Sequence, residues 1–209
     1  MSSIYKTEAE IIAGCKANNR DAQKTLYKNY IGIMNAVSYR YTKSYDDAKD
    51  IVHDSFMIIF EKISTFSGTG SLAGWIRKIV VNRSIDFIKK NRNQSFGTSE
   101  IDTDNQYNNI SYSNYEEEAQ NDSSDYDISA LHLNKEDILE GINQLQENYR
   151  IVFNLFVIDG YSHKSIAETL QISEETSRMR LKRSRSTLQR ILLEMVHKTK
   201  SSDGTRIRS

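Results

Sequence analysis

Five cations fall within the eight residues from Arg178 to Arg185, in the run Glu174-Glu175-Thr176-Ser177-Arg178-Met179-Arg180-Leu181-Lys182-Arg183-Ser184-Arg185. Leu181, Leu188 and Leu192 recur at steps of about seven and four and give this helix a core face, which leaves Arg178, Met179, Lys182, Arg183 and Arg185 largely outward. Arg178 and Lys182 stand four apart and share one side. Small or polar residues in the first turn, Thr176 and Ser177, followed by arginines suit a helix whose start must approach base edges in a major groove. A solvated basic helix is the plainer alternative. The capping Ser173 and the preceding Ile166-Ala167 favour DNA binding over it.

Two further groups of residues carry chemistry. Asp50 and Asp54, with His53 between them, place two carboxylates on one helix face, as a metal site or an acid–base pair would. No further ligand shares that motif, so an exposed acidic docking face is the better reading. Arg77, Lys78, Asn82, Arg83, Lys89 and Lys90 supply donors for an anion or a base edge along another helix. Phe66 stands beside Gly68 and Gly70 in the segment that breaks the helical pattern before this helix.

Enzyme chemistry finds little footing. His53, His132, His163 and His197 are scattered and lack cysteine partners, so neither a zinc site nor any other metal is expected. Neither a GxxxxGK[ST] loop nor a GxSxG elbow occurs. No cofactor and no small-molecule substrate is expected. His163, beside Ser162, reads as a helix-terminus residue or a phosphate contact.

Helices must position all of these groups. Thr7-Glu8-Ala9-Glu10 is a capping-box pattern opening a short helix with Ile11, Ile12 and a core Cys15. A second helix from about Asp21 has Ala22, Leu26, Tyr30, Ile33, Val37 and Tyr41 at helical steps, and a third from near Ser44 carries Ala48, Ile51, Val52, Phe56, Ile59 and Ile63. Ser64 to Ser71 breaks the pattern. A fourth helix follows from about Leu72 to Lys90, with Trp75, Ile76, Ile79 and Val80 as its apolar stripe. Asn134 caps a helix through Leu145, and Glu147 to Ile158 forms another that Asp159-Gly160 ends. Ser162 to Leu170, the turn Gln171-Ile172 and a helix from Ser173 to about Met195 have helix–turn–helix spacing.

The 209 residues contain no proline, which fits an all-α chain. Equal numbers of cations and anions, 28 each, hide a division along the sequence. Residues 1–92 hold 15 Lys+Arg against 9 Asp+Glu, residues 93–134 none against 9, and residues 135–209 hold 13 against 10. The middle is rich in Asn, Ser, Asp and Tyr without periodicity and reads as a flexible acidic linker. The alternative is an acidic arm, densest at Glu116-Glu117-Glu118, that competes with DNA for the basic ends. A lone cysteine, no signal-peptide pattern and no apolar run near the roughly 20 residues of a bilayer span make a reducing cytoplasm the expected compartment.

Two stretches resemble one family. Leu145 to Arg150, Gly160 to Glu168, Ile172 to Thr176 and Arg180 to Arg183 resemble the promoter-binding C-terminal domain of extracytoplasmic-function (ECF) sigma factors of the sigma-70 family. Asp46 to Phe56, Phe66 and Trp75 to Asp86 resemble the N-terminal domain of the same family. The family often has Gln at the place of His53, Pro at that of Gln146, Gly at that of Gln171 and an apolar residue at that of Ser177. The last resembles a Bacteroidetes-like branch.

The resemblance implies two small helical domains. A region 2 helical bundle over 5–92 would bind core polymerase and the minus-10 element. A region 4 helix–turn–helix over 135–196 would bind the minus-35 element, with the acidic linker at 93–134 and a flexible tail at 197–209. Asp50, His53 and Asp54 would dock on the clamp coiled coil of the largest subunit of bacterial RNA polymerase. Phe66, Asn82, Arg83, Asp86 and Lys89 would hold the melted minus-10 element, the Gly68–Gly70 loop beside Phe66 being suited to capturing a flipped base, with an ordinary interhelical turn around a core Phe66 as the alternative. Thr176, Ser177, Arg178, Met179, Lys182 and Arg183 would meet the minus-35 element. The flap of the second subunit, promoter DNA and a membrane-bound anti-sigma factor are the other implied partners. A stand-alone helix–turn–helix regulator and a pure protein-interaction module are the competing readings.

Overall fold

The computed structural model describes residues 7–95 and 133–203, and every regular element among them is helical. The segment 93–134 read as an acidic linker falls mostly outside those residues, as does the end of the tail. Among the described residues no helix is long and apolar enough to cross a membrane. In chain order the helices are α1 (Glu8–Lys16), α2 (Arg20–Thr42), α3 (Tyr45–Lys62), a 310 turn (Ile63–Thr65), α4 (Leu72–Ser95), α5 (Lys135–Gln144), α6 (Glu147–Phe153), a π-helical stretch (Asn154–Ile158), α7 (His163–Leu170) and α8 (Glu174–Asp203). The last runs beyond the expected end at Met195, into the expected tail.

Side chains at the helix starts satisfy backbone N–H groups that no intrahelical carbonyl can reach. Thr7 and Glu10 form the expected capping box, Asn19 accepts from Asp21 and Ala22, and Ser44 accepts from Asp47. Asn134 and Asp137 form a second capping box, and Ser162 accepts from Ser165. Each such cap is worth about 1 kcal/mol.

Packing divides the chain into two compact units, Met1–Lys89 with Gln146–Ser184 and Lys90–Leu145 with Arg185–Ser209. In the first, α3 buries the expected Ala48, Ile51, Val52, Phe56 and Ile59, with Ile63 just after it. Full burial of each large apolar side chain contributes roughly 1.5–3 kcal/mol. α2 buries Ala22, Leu26, Met34, Val37 and Tyr41, while Ile33, expected in the core, is 61% exposed. The stripe of α4 is likewise rotated: Leu72, Ile76, Val80, Val81, Ile85 and Ile88 are buried, whereas Trp75 and Ile79 are half-buried. The buried hydroxyls of Ser38 and Ser84 lie 3.0 Å apart, and Ser84 donates to the Val80 carbonyl, which ties α2 to α4.

In the second unit, Ile142, Leu145, Leu188, Ile191 and Leu192 are buried. Gly141 on α5 permits close approach to α8. A Cβ there would stand 2.9 Å from Leu192 Cδ2 and 3.0 Å from Leu188 Cδ1.

Candidate nucleic-acid and polymerase interfaces

Helix α3 sends its apolar positions inward, so the intervening residues Asp50, His53 and Asp54 are all exposed on its other side. Met57, 56% exposed, continues that face at the next helical step. Asp54 also lies 3.7 Å from Arg83 of α4. A residue expected to meet polymerase and one expected to meet DNA therefore form one surface ion pair.

On α4, Asn82 and Asp86 are exposed one turn apart, and Arg83 and Lys89 are half-buried. Asn82 Oδ1 lies 3.4 Å from the Tyr161 hydroxyl, and Lys89 Nζ donates to the Thr169 carbonyl at 2.6 Å. Phe66 does not join this group. It is 6% exposed, its ring centroid sits 5.6 Å from that of Trp75, and its carbonyl accepts from Lys16. A ring so packed anchors the loop, and the core alternative for Phe66 replaces the base-capturing one. Gly68 and Gly70, at φ +80° and +83°, supply the left-handed conformations of the loop beside it.

The helix–turn–helix is built from α7, a tight turn and the start of α8. Gln171 ends α7 at φ +57° and ψ +45°, so a side chain occupies a left-handed position that favours glycine. Ser173 Oγ accepts from Thr176 N at 3.0 Å and contacts Thr176 Oγ1 at 2.9 Å, which makes Thr176 part of the cap. Ser177 is fully buried, 2.9 Å from His163 Nδ1, and the His163 ring stacks on Phe156. Ser177 thus supports the motif from inside and is corrected from a DNA-facing residue to an internal one. His163 is its partner, not a surface phosphate contact.

Arg178, Met179 and Lys182 are exposed on α8 and Arg183 is half-buried. Arg178 pairs with Glu174 at 2.7 Å, one turn back. The buried Leu181 fixes the rotation of the helix that presents them. Arg180, by contrast, is buried.

Asp159, read in the sequence only as part of a helix end, holds the first unit together. The π-helical stretch and Gly160, at φ +72°, aim Asp159 at the α2–α4 surface. Arg77 Nε donates to Asp159 Oδ1 at 2.5 Å, Arg40 Nη2 lies 3.3 Å from the same oxygen, and the Tyr41 hydroxyl donates to Oδ2. Burial, and then the Asp159 charge, push the Tyr41 phenol well above its ordinary pKa, which keeps it a donor. The Tyr161 phenol is also raised, first by burial and then by Asp159. Among the described residues no group of three or more His, Cys, Asp or Glu is placed to hold a metal.

Residues 26–94 match the family model for sigma-70 region 2, and residues 135–188 match that for sigma-70 region 4. The ECF RNA polymerase sigma factor SigE of Mycolicibacterium smegmatis is 24% identical over 166 residues, covering 79% of this chain and 60% of that protein. RNA polymerase sigma factor SigV of Bacillus subtilis is 32% identical over 56 residues, covering 27% of this chain and 34% of that protein. The chain thus spans less than two thirds of the length of either relative. Among solved structures, the sigma factor RpoE of Bartonella quintana, in complex with the anti-sigma factor NepR, aligns with 18% identity and a TM-score of 0.47 over 81% of this chain and 95% of that one. With two region models of one family in sequence order, together matching more than half of its 209 residues, the chain belongs to the sigma-70 family.

Proposed function

We propose that this chain is an ECF-type sigma factor: it joins bacterial core RNA polymerase in the cytoplasm, selects a promoter and helps open it. The observation that carries this reading is the succession of a region 2 match and a region 4 match on one chain, each with an exposed face of suitable chemistry. Asp50, His53 and Asp54, extended by Met57, dock on the clamp coiled coil of the largest subunit. Asn82, Arg83, Asp86 and Lys89 hold the minus-10 element, and opening the duplex there costs about 1.4 kcal/mol per stacked step. Arg178, Met179, Lys182 and Arg183 read the minus-35 element from a start capped by Ser173 and Thr176. The C-terminal domain also meets the polymerase flap, and a membrane-bound anti-sigma factor holds the protein inactive.

The test is reconstitution. The purified chain is added to sigma-free core polymerase from a related bacterium, and transcripts are mapped on genomic DNA fragments. Discrete starts that disappear on Asp50→Arg with Asp54→Arg are the expected result. A folded chain that neither binds core enzyme nor directs starts refutes the proposal and favours a regulator acting alone.

A further inference from the structure

We propose that Arg40, Tyr41 and Arg77 form a carboxylate-binding socket, and that Asp159, its occupant here, latches the helix–turn–helix segment over the minus-10 residues of α4. The Asp159 side chain is 2% exposed, and its two oxygens receive Arg77, Arg40 and Tyr41. Two cations face one anion, so an empty socket carries excess positive charge and attracts a carboxylate again.

Neighbouring contacts act in the same sense. Arg150 Nη1 and Asn154 Nδ2 each donate to the Arg40 carbonyl at 3.0 Å, in the last turn of α2 where a carbonyl lacks an intrahelical partner. Lys89 donates to the Thr169 carbonyl in the last turn of α7, which repeats that chemistry in the opposite direction. The Tyr161 hydroxyl lies against Asn82. Asn82 and Lys89, two of the four residues proposed to hold the minus-10 element, are therefore engaged within the protein while the latch is closed.

The junction is also built to come apart. Arg40 Nε, Arg150 Nε and Asn154 Oδ1 are buried there without a hydrogen-bond partner, and opening returns all three to water. Charged contacts lose little on separation, because both faces are well solvated once apart.

The masking half of this inference rests on the proposed function, and the latch itself does not, so the test reads the two separately. Full-length wild type, Asp159→Asn and Tyr41→Phe are compared by small-angle X-ray scattering and by amide exchange over residues 82–89. Binding of the free chains to a fluorescein-labelled fork-junction oligonucleotide with an unpaired minus-10 strand is measured in parallel. Asp159→Asn is expected to enlarge the radius of gyration, speed exchange over 82–89 and tighten oligonucleotide binding about tenfold, the factor by which a closed majority weakens apparent affinity. Tyr41→Phe removes one donor and moves all three readings less in the same direction, which covers the case of an Asp159→Asn chain that does not fold. Folded variants with wild-type scattering and exchange overturn the latch. Variants that open yet bind no more tightly overturn the masking, while the polymerase assay continues to judge the proposed function.

Discussion

Ser177 and Arg178 are adjacent in sequence, and the structure gives them opposite consequences. Arg178 is exposed and already holds Glu174 at 2.7 Å, with side chains 59% and 42% exposed. Such an exposed one-turn pair contributes about 0.3–0.5 kcal/mol. A bidentate contact with a guanine discriminates by about 1–3 kcal/mol. Arg178 must release Glu174 to make it, so Arg178→Ala loses about 0.5–2.5 kcal/mol net, a weakening of roughly 2- to 70-fold. Glu174→Gln removes the competitor and tightens binding about twofold.

Ser177→Ala instead removes a buried hydroxyl 2.9 Å from His163 Nδ1. It costs about 1 kcal/mol of stability and lowers Tm by about 2–4 °C, leaving promoter affinity within about twofold. The assay is fluorescence anisotropy of reconstituted holoenzyme on minus-35 duplexes from the promoters found by transcript mapping, over a series of salt concentrations, with parallel thermal melts. Lys182→Ala provides an internal contrast: a base contact there weakens binding to the minus-35 sequence selectively, whereas a phosphate contact weakens all sequences alike and reduces the salt slope by about one. If Arg178→Ala leaves affinity unchanged while Ser177→Ala abolishes binding at unchanged Tm, the helix reads DNA with the face assigned here to the core, and the reasoning fails.

Three further outcomes follow from local geometry. Gln171→Gly relieves a left-handed residue at φ +57° and raises stability by about 0.5–1 kcal/mol in a denaturant titration, whereas Gln171→Val lowers it. Burial lifts the Cys15 thiol above its ordinary pKa, so the folded chain carries less thiolate at neutral pH than the unfolded one; modification by a colorimetric disulfide reagent is slow until denaturant is added, and immediate reaction of the native chain contradicts the burial. Gly141→Ala places a Cβ 2.9–3.0 Å from Leu192 and Leu188; overpacking of about 1–3 kcal/mol outweighs a helix-propensity gain of about 1, and Tm falls.

Positions governed by a local rule are legible in the sequence. Thr7, Ser44, Asn134, Ser162 and Ser173 cap because a short hydroxyl or amide before an apolar-periodic run has free N–H groups within reach. The left-handed Gly160 follows from the same kind of reasoning. The phase of a helix is less secure. On α2, Ile33 and Met34 both fit an apolar series, and which of them is buried depends on the surface that α2 meets. Phe66 and Ser177 show the same limit in the candidate sites. An aromatic beside glycines and a serine in a recognition turn both read as exposed until packing encloses one against Trp75 and the other against His163. Gly141 left no local signal, because a glycine inside a helix is explained only by the partner helix it lets in.

Asp159 marks where sequence reading stops, and its burial also argues for its role. Its partners Arg40, Tyr41 and Arg77 lie 119, 118 and 82 residues away, beyond any periodicity, and an Asp before Gly satisfies the rule for a helix end without them. A chain that needed a permanent contact here would be served at least as well by apolar side chains, since replacing a buried ion pair by packed hydrophobes is often neutral or stabilising. Apolar faces would remain sticky whenever the contact opened. A carboxylate among two guanidinium groups and a phenol is specific when closed and readily hydrated when open. Such chemistry suits the proposed latch, whose open state would release Asn82 and Lys89 from their contacts within the chain.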